Sequence, residues 1–316
     1  MHSSISNSDT AARHARPDRF TVLLLGTVLV LLGLIEAVSV LRFDRTSRVQ
    51  QREVAQRKIL LEVKDPAIGE DPHLAVLGNS LMLNGVDLPL LAEKLGSKVT
   101  PVPYFVLATN YYDWYFGLKR MFAEGMRPRY VLLGLSPNQL AASDIRGDYS
   151  ARYLFQQSDL IDVIRQTHMD ATTASGFLLS HYSEFYSTRD ITRGFIMNRV
   201  FPSVGELLHN QAGSVRDPEI AEPVLYPLAA KRLAELDRLC RENGAHFMLV
   251  VPPTYQKGAE TIAQAGKSEQ ITVLVPVATN VFDSTYYQSD GFHLNDVGAR
   301  VFTSRLADGL QDKMTN

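Results

Sequence analysis

The chain has almost no cysteine: Cys240 is the single one in 316 residues. That excludes an internal disulfide and any zinc site built on thiolates. It does not fix a compartment, because a disulfide-free domain folds on either side of a membrane. Phosphate-binding glycine loops, dinucleotide fingerprints, internal repeats and low-complexity tracts are all missing from the sequence. His168, His181 and His209 lack metal-ligand spacing and read as surface or packing residues. No metal or other cofactor is therefore expected. Strong charge of either sign is missing too, with 32 Lys/Arg against 34 Asp/Glu. That balance hides an asymmetry: residues 1–58 carry nine basic and five acidic side chains, the remainder 23 and 29. A mildly acidic body argues against nucleic acid as its partner, since phosphates want the opposite sign.

What the chain does have is one long apolar run. Residues 21–41, TVLLLGTVLVLLGLIEAVSVL, contain Glu36 as their one ionisable group. A helix needs roughly 20 apolar residues to cross a bilayer core of about 30 Å. A cleavable signal peptide has a shorter apolar region, about 7–15 residues, and Ala37-Val38-Ser39 is its only small-residue exit here. The expectation is a retained anchor through the lipid bilayer at 21–41, with 1–20 as a cytoplasmic tail. Charge leaves orientation open. Arg13, Arg16 and Arg19 precede the run, while Arg42, Arg45, Arg48, Arg52, Arg57 and Lys58 follow it. A plain count keeps the C-terminal side inside, yet long domains translocate regardless of such charges. Residues 42–61 contain no glycine or proline, which predicts a helical juxtamembrane linker over 42–66 that lifts the body off the membrane. Its arginines read as a solvated face.

Beyond Pro66 short apolar runs alternate with helical stretches. Strands are expected at 73–79, 100–108, 129–135, 246–253 and 270–277. Helices are expected at 88–95 behind an Asp87 cap, at 111–123, at 227–243, and from an Asp296 cap to 310. This alternation predicts an α/β three-layer sandwich around a parallel sheet, with ligands at the carboxyl ends of the strands. Residues 138–225 break the rhythm and read as an insertion or lid after the third strand, with helical pieces at 160–167 and 192–200. The body over 67–316 counts as one domain.

Three strand ends carry chemistry. Gly78-Asn79-Ser80 follows the first strand, and the same tripeptide also suits an ordinary turn. Asp290 and His293 stand three apart in Ser289-Asp290-Gly291-Phe292-His293-Leu294-Asn295, before the last helix. A carboxylate at that spacing orients an imidazole, which then serves as base toward a serine hydroxyl. Asp283 is a rival acid. Ser136-Pro137-Asn138 follows the third strand, where an amide donates to an oxyanion or merely sits in a turn. Tyr111, Tyr112, Trp114, Tyr115 and Phe116 follow helical spacing, which favours core packing over sugar stacking. Tyr286 and Tyr287 read as walls of a substrate-binding site.

Taken together, a first-strand serine, a third-strand Asn and Asp-x-x-His before the final helix resemble the SGNH (GDSL) hydrolase superfamily. The resemblance spans roughly residues 73–312 outside the insertion, and its strongest motif is Asp290-x-x-His293-Leu294-Asn295-x-x-Gly298-Ala299. With the anchor, the chain looks most like the membrane-attached members of polysaccharide O-acetylation and teichoic-acid D-alanylation systems. The resemblance implies a flavodoxin-like sheet, Ser80 as nucleophile, His293 as general base and Asp290 as its orienting acid. It also implies an oxyanion hole from the Ser80 N–H and Asn138. Two departures stand out: Asn79 replaces the motif's Asp, and Ala108-Thr109-Asn110 replaces a stretch that carries a glycine donor. Thr109, Asn110 or neither supplies that donor in its place. The implied activity is acyl transfer: an acetyl-serine passes its acetyl group to an envelope or extracellular polysaccharide. A polytopic membrane-bound O-acyltransferase would be the donor partner, with the body periplasmic on a bacterial inner membrane. A carbohydrate esterase, and a non-catalytic assembly or glycan-binding subunit, are the alternatives.

Overall fold

The computed structural model describes residues 18–64, 72–145, 147–200 and 218–314. Most of the expected cytoplasmic tail, the end of the linker, part of the insertion and His209 lie outside the described residues. Five strands, β1 (His73–Gly78), β2 (Thr100–Phe105), β3 (Tyr130–Gly134), β4 (His246–Val250) and β5 (Thr272–Leu274), form one sheet in the order β2-β1-β3-β4-β5. All neighbouring pairs are parallel. This is the flavodoxin-like order, whose chain reverses direction between β1 and β3, the place where such sheets bind ligands. Leu74, Ala75, Val76 and Leu77 alternate between two buried clusters, one on each face, so the sheet is covered on both sides. Continuous apolar strands require that cover.

Pro101 and Pro103 fit β2 because it is an edge strand. Thr100 and Val106 donate their N–H groups to Pro72 and Gly78 on the inner side. The prolines occupy intervening outward positions, where no ladder donor is needed. The outer edge is covered by α2 (Arg48–Glu62): Gln56 Oε1 accepts from the Phe105 N–H at 3.1 Å and Glu53 Oε1 from the Leu107 N–H at 3.4 Å. The juxtamembrane linker therefore does not lift the body away. It packs onto the sheet, and Gln50, Glu53 and Leu60 are buried there. Preceding it, α1 (Arg19–Thr46) holds the apolar run, and Ser47 caps the start of α2. Over Arg19–Leu41, 23 residues, α1 is long and apolar enough for a membrane span, and apart from Glu36 and Ser39 its residues are exposed. That length and composition suit a signal-anchor or a signal sequence.

Six further helices flank the strands: α3 (Ser80–Gly85), α4 (Leu88–Leu95), α5 (Tyr111–Ala123), α11 (Glu222–Glu242), α12 (Ala259–Ser268) and α13 (Asp296–Met314). Several expected boundaries move: β2, β4 and β5 are shorter than expected, and the helical piece expected from 192 begins at Glu184. The helix expected from Pro227 begins at Glu222, with Pro227 inside it. The final helix is capped by Asn295 instead of Asp296: its Oδ1 accepts from the N–H groups of Val297 and Gly298, both at 3.0 Å. The insertion contains α6 (Pro137–Ala141), α7 (Asp148–Tyr153), α8 (Leu160–Gln166), α9 (Ala171–Tyr182) and α10 (Glu184–Val200). It docks on α5 through Phe155 against Phe116, a 2.6 Å Lys119–Asp159 ion pair, and Arg120 donating to the carbonyls of Arg152 and Phe155. Leu154, Phe155, Val163 and Phe177 join the main core, so this segment is integral to the body.

Candidate active site

Ser80 begins α3 at the carboxyl end of β1, beside the point where the chain reverses. Two glycines let α3 approach that closely. Gly78 and Gly134 are register partners in β1 and β3, and Met82 of α3 fills the hollow they leave. A Cβ on Gly134 would stand 2.0 Å from Met82 Sδ, and one on Gly78 2.4 Å from Met82 Cγ. A side chain at either position would force Met82 out of that hollow. Asn79 caps α3, its Oδ1 accepting from the Leu81 N–H at 3.0 Å.

The other residues come from the loop before α13. Asp290 Oδ1 accepts from the N–H groups of Phe292 and His293, at 2.9 and 3.0 Å, closing a local turn that Gly291 permits at φ 65°. This leaves Asp290 Oδ2 facing His293 Nδ1 at 2.6 Å, while His293 Nε2 lies 2.9 Å from Ser80 Oγ. Partial burial works against the Asp290 charge, but the hydrogen bonds from the His293 ring and from the Phe292 and His293 N–H groups outweigh it. The carboxyl is held below its ordinary value. An ionised Asp290 keeps the proton on Nδ1 and leaves Nε2 to accept from the serine hydroxyl. The rival acid is elsewhere: Asp283 Oδ1 is taken by the Thr285 N–H and hydroxyl, at 2.8 and 2.5 Å.

The expected oxyanion donors fare differently. Asn110 is the N-cap of α5, and its N–H already donates to Asp113 Oδ2 at 2.9 Å. Its side-chain amide points to Asp144 Oδ1 at 3.4 Å, so Asn110 is not the missing donor. Asn138 Nδ2 donates to the Pro218 carbonyl at 3.1 Å and is engaged there, not at Ser80. Thr109 is left. Its N–H has no hydrogen-bond partner among the described residues, and its carbonyl accepts from Asn79 Nδ2 at 2.9 Å. Ala108, just before it, holds φ 59°, a left-handed conformation costly for a residue with a Cβ. The loop thus keeps a glycine-like turn without a glycine.

Several supporting residues escaped the sequence reading. Asn79 is the clamp between the serine and the Thr109 loop, although the motif alone marks it as a mere departure. Trp114, in the core as expected, donates to Thr109 Oγ1 at 2.8 Å, and that hydroxyl donates to the Val106 carbonyl at 2.7 Å. Asn84 donates to the Ser80 carbonyl at 2.8 Å and accepts from Gln288 Nε2 at 3.3 Å, linking the serine helix to the histidine loop. Tyr286 and Tyr287 pack inward more than they line an open wall. Tyr286 stacks on buried Phe282 with centroids 4.4 Å apart, and Tyr287 pairs with Leu294. Burial pushes the Tyr287 hydroxyl up. The Tyr111 hydroxyl bonds Glu235 Oε2 at 2.5 Å, confirming a packing role for that aromatic group. Among the described residues no cluster of His, Cys, Asp and Glu has the makings of a metal site.

No protein-family model and no curated protein matches the chain in sequence. Solved structures do resemble it. One, described as TesA, is 14% identical with a TM-score of 0.39, over 76% of this chain and 98% of its own. Another, a provisionally named platelet activating factor from Streptococcus pneumonia, is 11% identical with a TM-score of 0.32, over 92% of this chain and 99% of its own. Likenesses this distant carry no argument, and both fold and chemistry have to be read from the chain itself. The chain has an α/β fold with a five-stranded parallel sheet, and Ser80, His293 and Asp290 meet at the carboxyl edge of that sheet.

Proposed function

We propose that the chain is a membrane-anchored serine acyltransferase that forms an acyl-serine on Ser80 and passes acetyl groups to an envelope polysaccharide. The observation that carries the serine chemistry is the continuous relay from Asp290 Oδ2 to His293 Nδ1, and from His293 Nε2 to Ser80 Oγ. Ser80 Oγ attacks the acyl carbonyl while Nε2 takes its proton, and the carbonyl π electrons move to oxygen. We assign the oxyanion donors to the N–H of Ser80, first in α3, and to that of Thr109, which has no partner among the described residues. Collapse expels the donor's leaving group, which takes the proton from Nε2. The acceptor hydroxyl then repeats the sequence: it gives its proton to Nε2, attacks the acyl-serine and releases Ser80 Oγ, which recovers a proton.

Transfer, as opposed to hydrolysis, is supported by the sequence resemblance to polysaccharide-modifying members and by the apolar helix α1. Retention of α1 is supported by Glu36, whose carboxylate binds α10 of the body; cleavage at Ala37-Val38-Ser39 would discard that contact. One span cannot carry acyl groups across a bilayer, so a polytopic O-acyltransferase is proposed as donor, with the body periplasmic. An esterase is the second reading, favoured by exposure: the His293 and Asp290 side chains retain 23% and 31% of their accessibility, open to water. Incubation with an acetyl donor and a panel of oligosaccharides separates the two. Transfer requires acetylated sugar to form faster than free acetate for at least one glycan. Acetate release that no glycan alters, together with normal polysaccharide acetylation in cells lacking the protein, would establish the esterase. A periplasmic reporter fused after Asn316 tests topology, and activity of a cytoplasmic reporter instead would contradict the proposal.

A further inference from the structure

Glu36 lies within the apolar stretch Arg19–Leu41, yet its carboxylate is not left to lipid. Its Oε2 accepts from the Ser183 hydroxyl at 2.6 Å and from the Phe185 N–H at 3.3 Å, and Oε1 accepts from the Glu184 N–H at 2.6 Å. These donors form the corner between α9 and α10, where a helix of 17 residues begins and negative charge is favoured. Ser39, three residues on, is also buried. The corner is fixed to the body as well. Glu184 pairs with Arg152 at 2.5 Å and accepts from the Tyr153 hydroxyl at 3.1 Å, and both partners lie on α7.

This latch fixes a height. Glu36 precedes Leu41 by five residues, about 7.5 Å along a helix axis at about 1.5 Å per residue. A carboxylate tied to body backbone marks the level at which hydrocarbon gives way to headgroups, because a charge deeper in the core is costly. The 17 residues from Arg19 to Ile35 still reach about 25 Å, near the lower limit for a span. The α9–α10 corner then stands at the bilayer surface. Three large side chains around it are exposed: Leu179 at 51%, Tyr182 at 59% and Phe185 at 40%. Leucine, tyrosine and phenylalanine suit the interfacial layer, where an aromatic body sits in acyl chains and a hydroxyl reaches water. Further along α10, Arg199 is exposed and suits anionic headgroups, while exposed Arg193 pairs with Asp190 at 2.9 Å.

We propose that the corner formed by Leu179, Tyr182 and Phe185 is a second membrane contact, a foot seated in the headgroup layer of the bilayer that α1 enters. The inference rests on the reading of α1 as a retained span. It goes beyond that reading by assigning part of the insertion to lipid. With α1 and the foot both engaged, the body has no freedom to swing about its anchor.

The test uses the full chain, purified and reconstituted alone in phosphatidylcholine–phosphatidylglycerol vesicles. A nitroxide is attached to cysteines introduced singly as Leu29→Cys, Asp162→Cys, Tyr182→Cys or Phe185→Cys. Its relaxation by oxygen, which concentrates in lipid, is compared with that by a water-soluble nickel chelate. Labels at 182 and 185 should favour oxygen, as the span label at 29 does, and the label at 162 should favour nickel. Glu36→Ala should shift the 185 label toward nickel without moving the label at 29. Nickel-type behaviour at 182 and 185 with oxygen-type behaviour at 29 overturns the foot and leaves the span standing. Nickel-type behaviour at 29 removes the span and the foot with it. Protection from both agents at 182 and 185 indicates a protein contact and overturns the assignment to lipid.

Discussion

Replacing Asn79 with aspartate, the residue that the resembled motif carries there, should damage this protein, although the change is isosteric. Asn79 is fully buried, and its two side-chain atoms do different work. Its Oδ1 caps α3 and would survive the change, but its Nδ2 is the donor to the Thr109 carbonyl at 2.9 Å. Asn79→Asp puts a carboxylate oxygen against a carbonyl oxygen in a dry site. A buried group left without its hydrogen bond costs about 1–3 kcal/mol, and an ionised one more. The sign with pH follows from burial, which raises the introduced carboxyl's folded pKa above its unfolded value of about 3.9. Below that value the protonated acid donates to Thr109 and the variant matches wild type. As pH rises above it, the unfolded state releases its proton first and the variant loses stability. Chemical denaturation in detergent, followed by fluorescence of Trp114, reads this at the loop itself, because the indole donates to Thr109 Oγ1. At neutral pH the variant should be at least about 1–3 kcal/mol less stable and slower toward an activated acetyl ester, with the gap closing in acid. A variant as stable and as active as wild type at neutral pH would refute the clamp.

Ser80→Ala and His293→Ala should abolish turnover of that ester. Asp290→Asn should lower kcat by up to about 10⁴-fold, while Asp283→Asn should leave it nearly unchanged; the reverse order in steady-state assays would identify Asp283 as the acid. Asn138→Ala should cost less than about tenfold in kcat, roughly 1.4 kcal/mol, because its amide is held by Pro218. A loss of about 10²–10³-fold would mean that the amide swings to the oxyanion during turnover. The depressed pKa of Asp290 contributes stability above the unfolded value of about 3.9, lost as pH falls through the folded value. The wild-type advantage over Asp290→Ala in denaturant midpoint should therefore shrink below about pH 4. Burial pushes the Cys240 thiol up and hides it, so it should resist alkylation in the native protein and react once unfolded.

The sheet was legible because its strands are continuous apolar runs, and the Asp290–His293 relation because three residues in one turn fix it locally. What escaped the sequence depends on distant partners. Gln56 and Glu53 read as a wet helix face until β2 supplies an edge for them to cover. Asn110 looks as good an oxyanion donor as Thr109 until Asp113 takes its N–H. Asn138 occupies the expected position, but the Pro218 carbonyl that claims its amide lies 80 residues away. Glu36 looks like an isolated flaw in an apolar run, and only the packing of α10 shows its use.

The cover that α2 gives β2 bears on where this chain can be shortened. Pro66 is an inviting place to cut, since the apolar run and linker end there in sequence. A chain begun at that point would lose the acceptors for the Phe105 and Leu107 N–H groups and expose an unpaired edge. It would also lose the support beneath the turn that holds Ala108 and Thr109. The smallest self-sufficient body starts near Ser47, where the cap of α2 is retained and only the apolar helix is left behind.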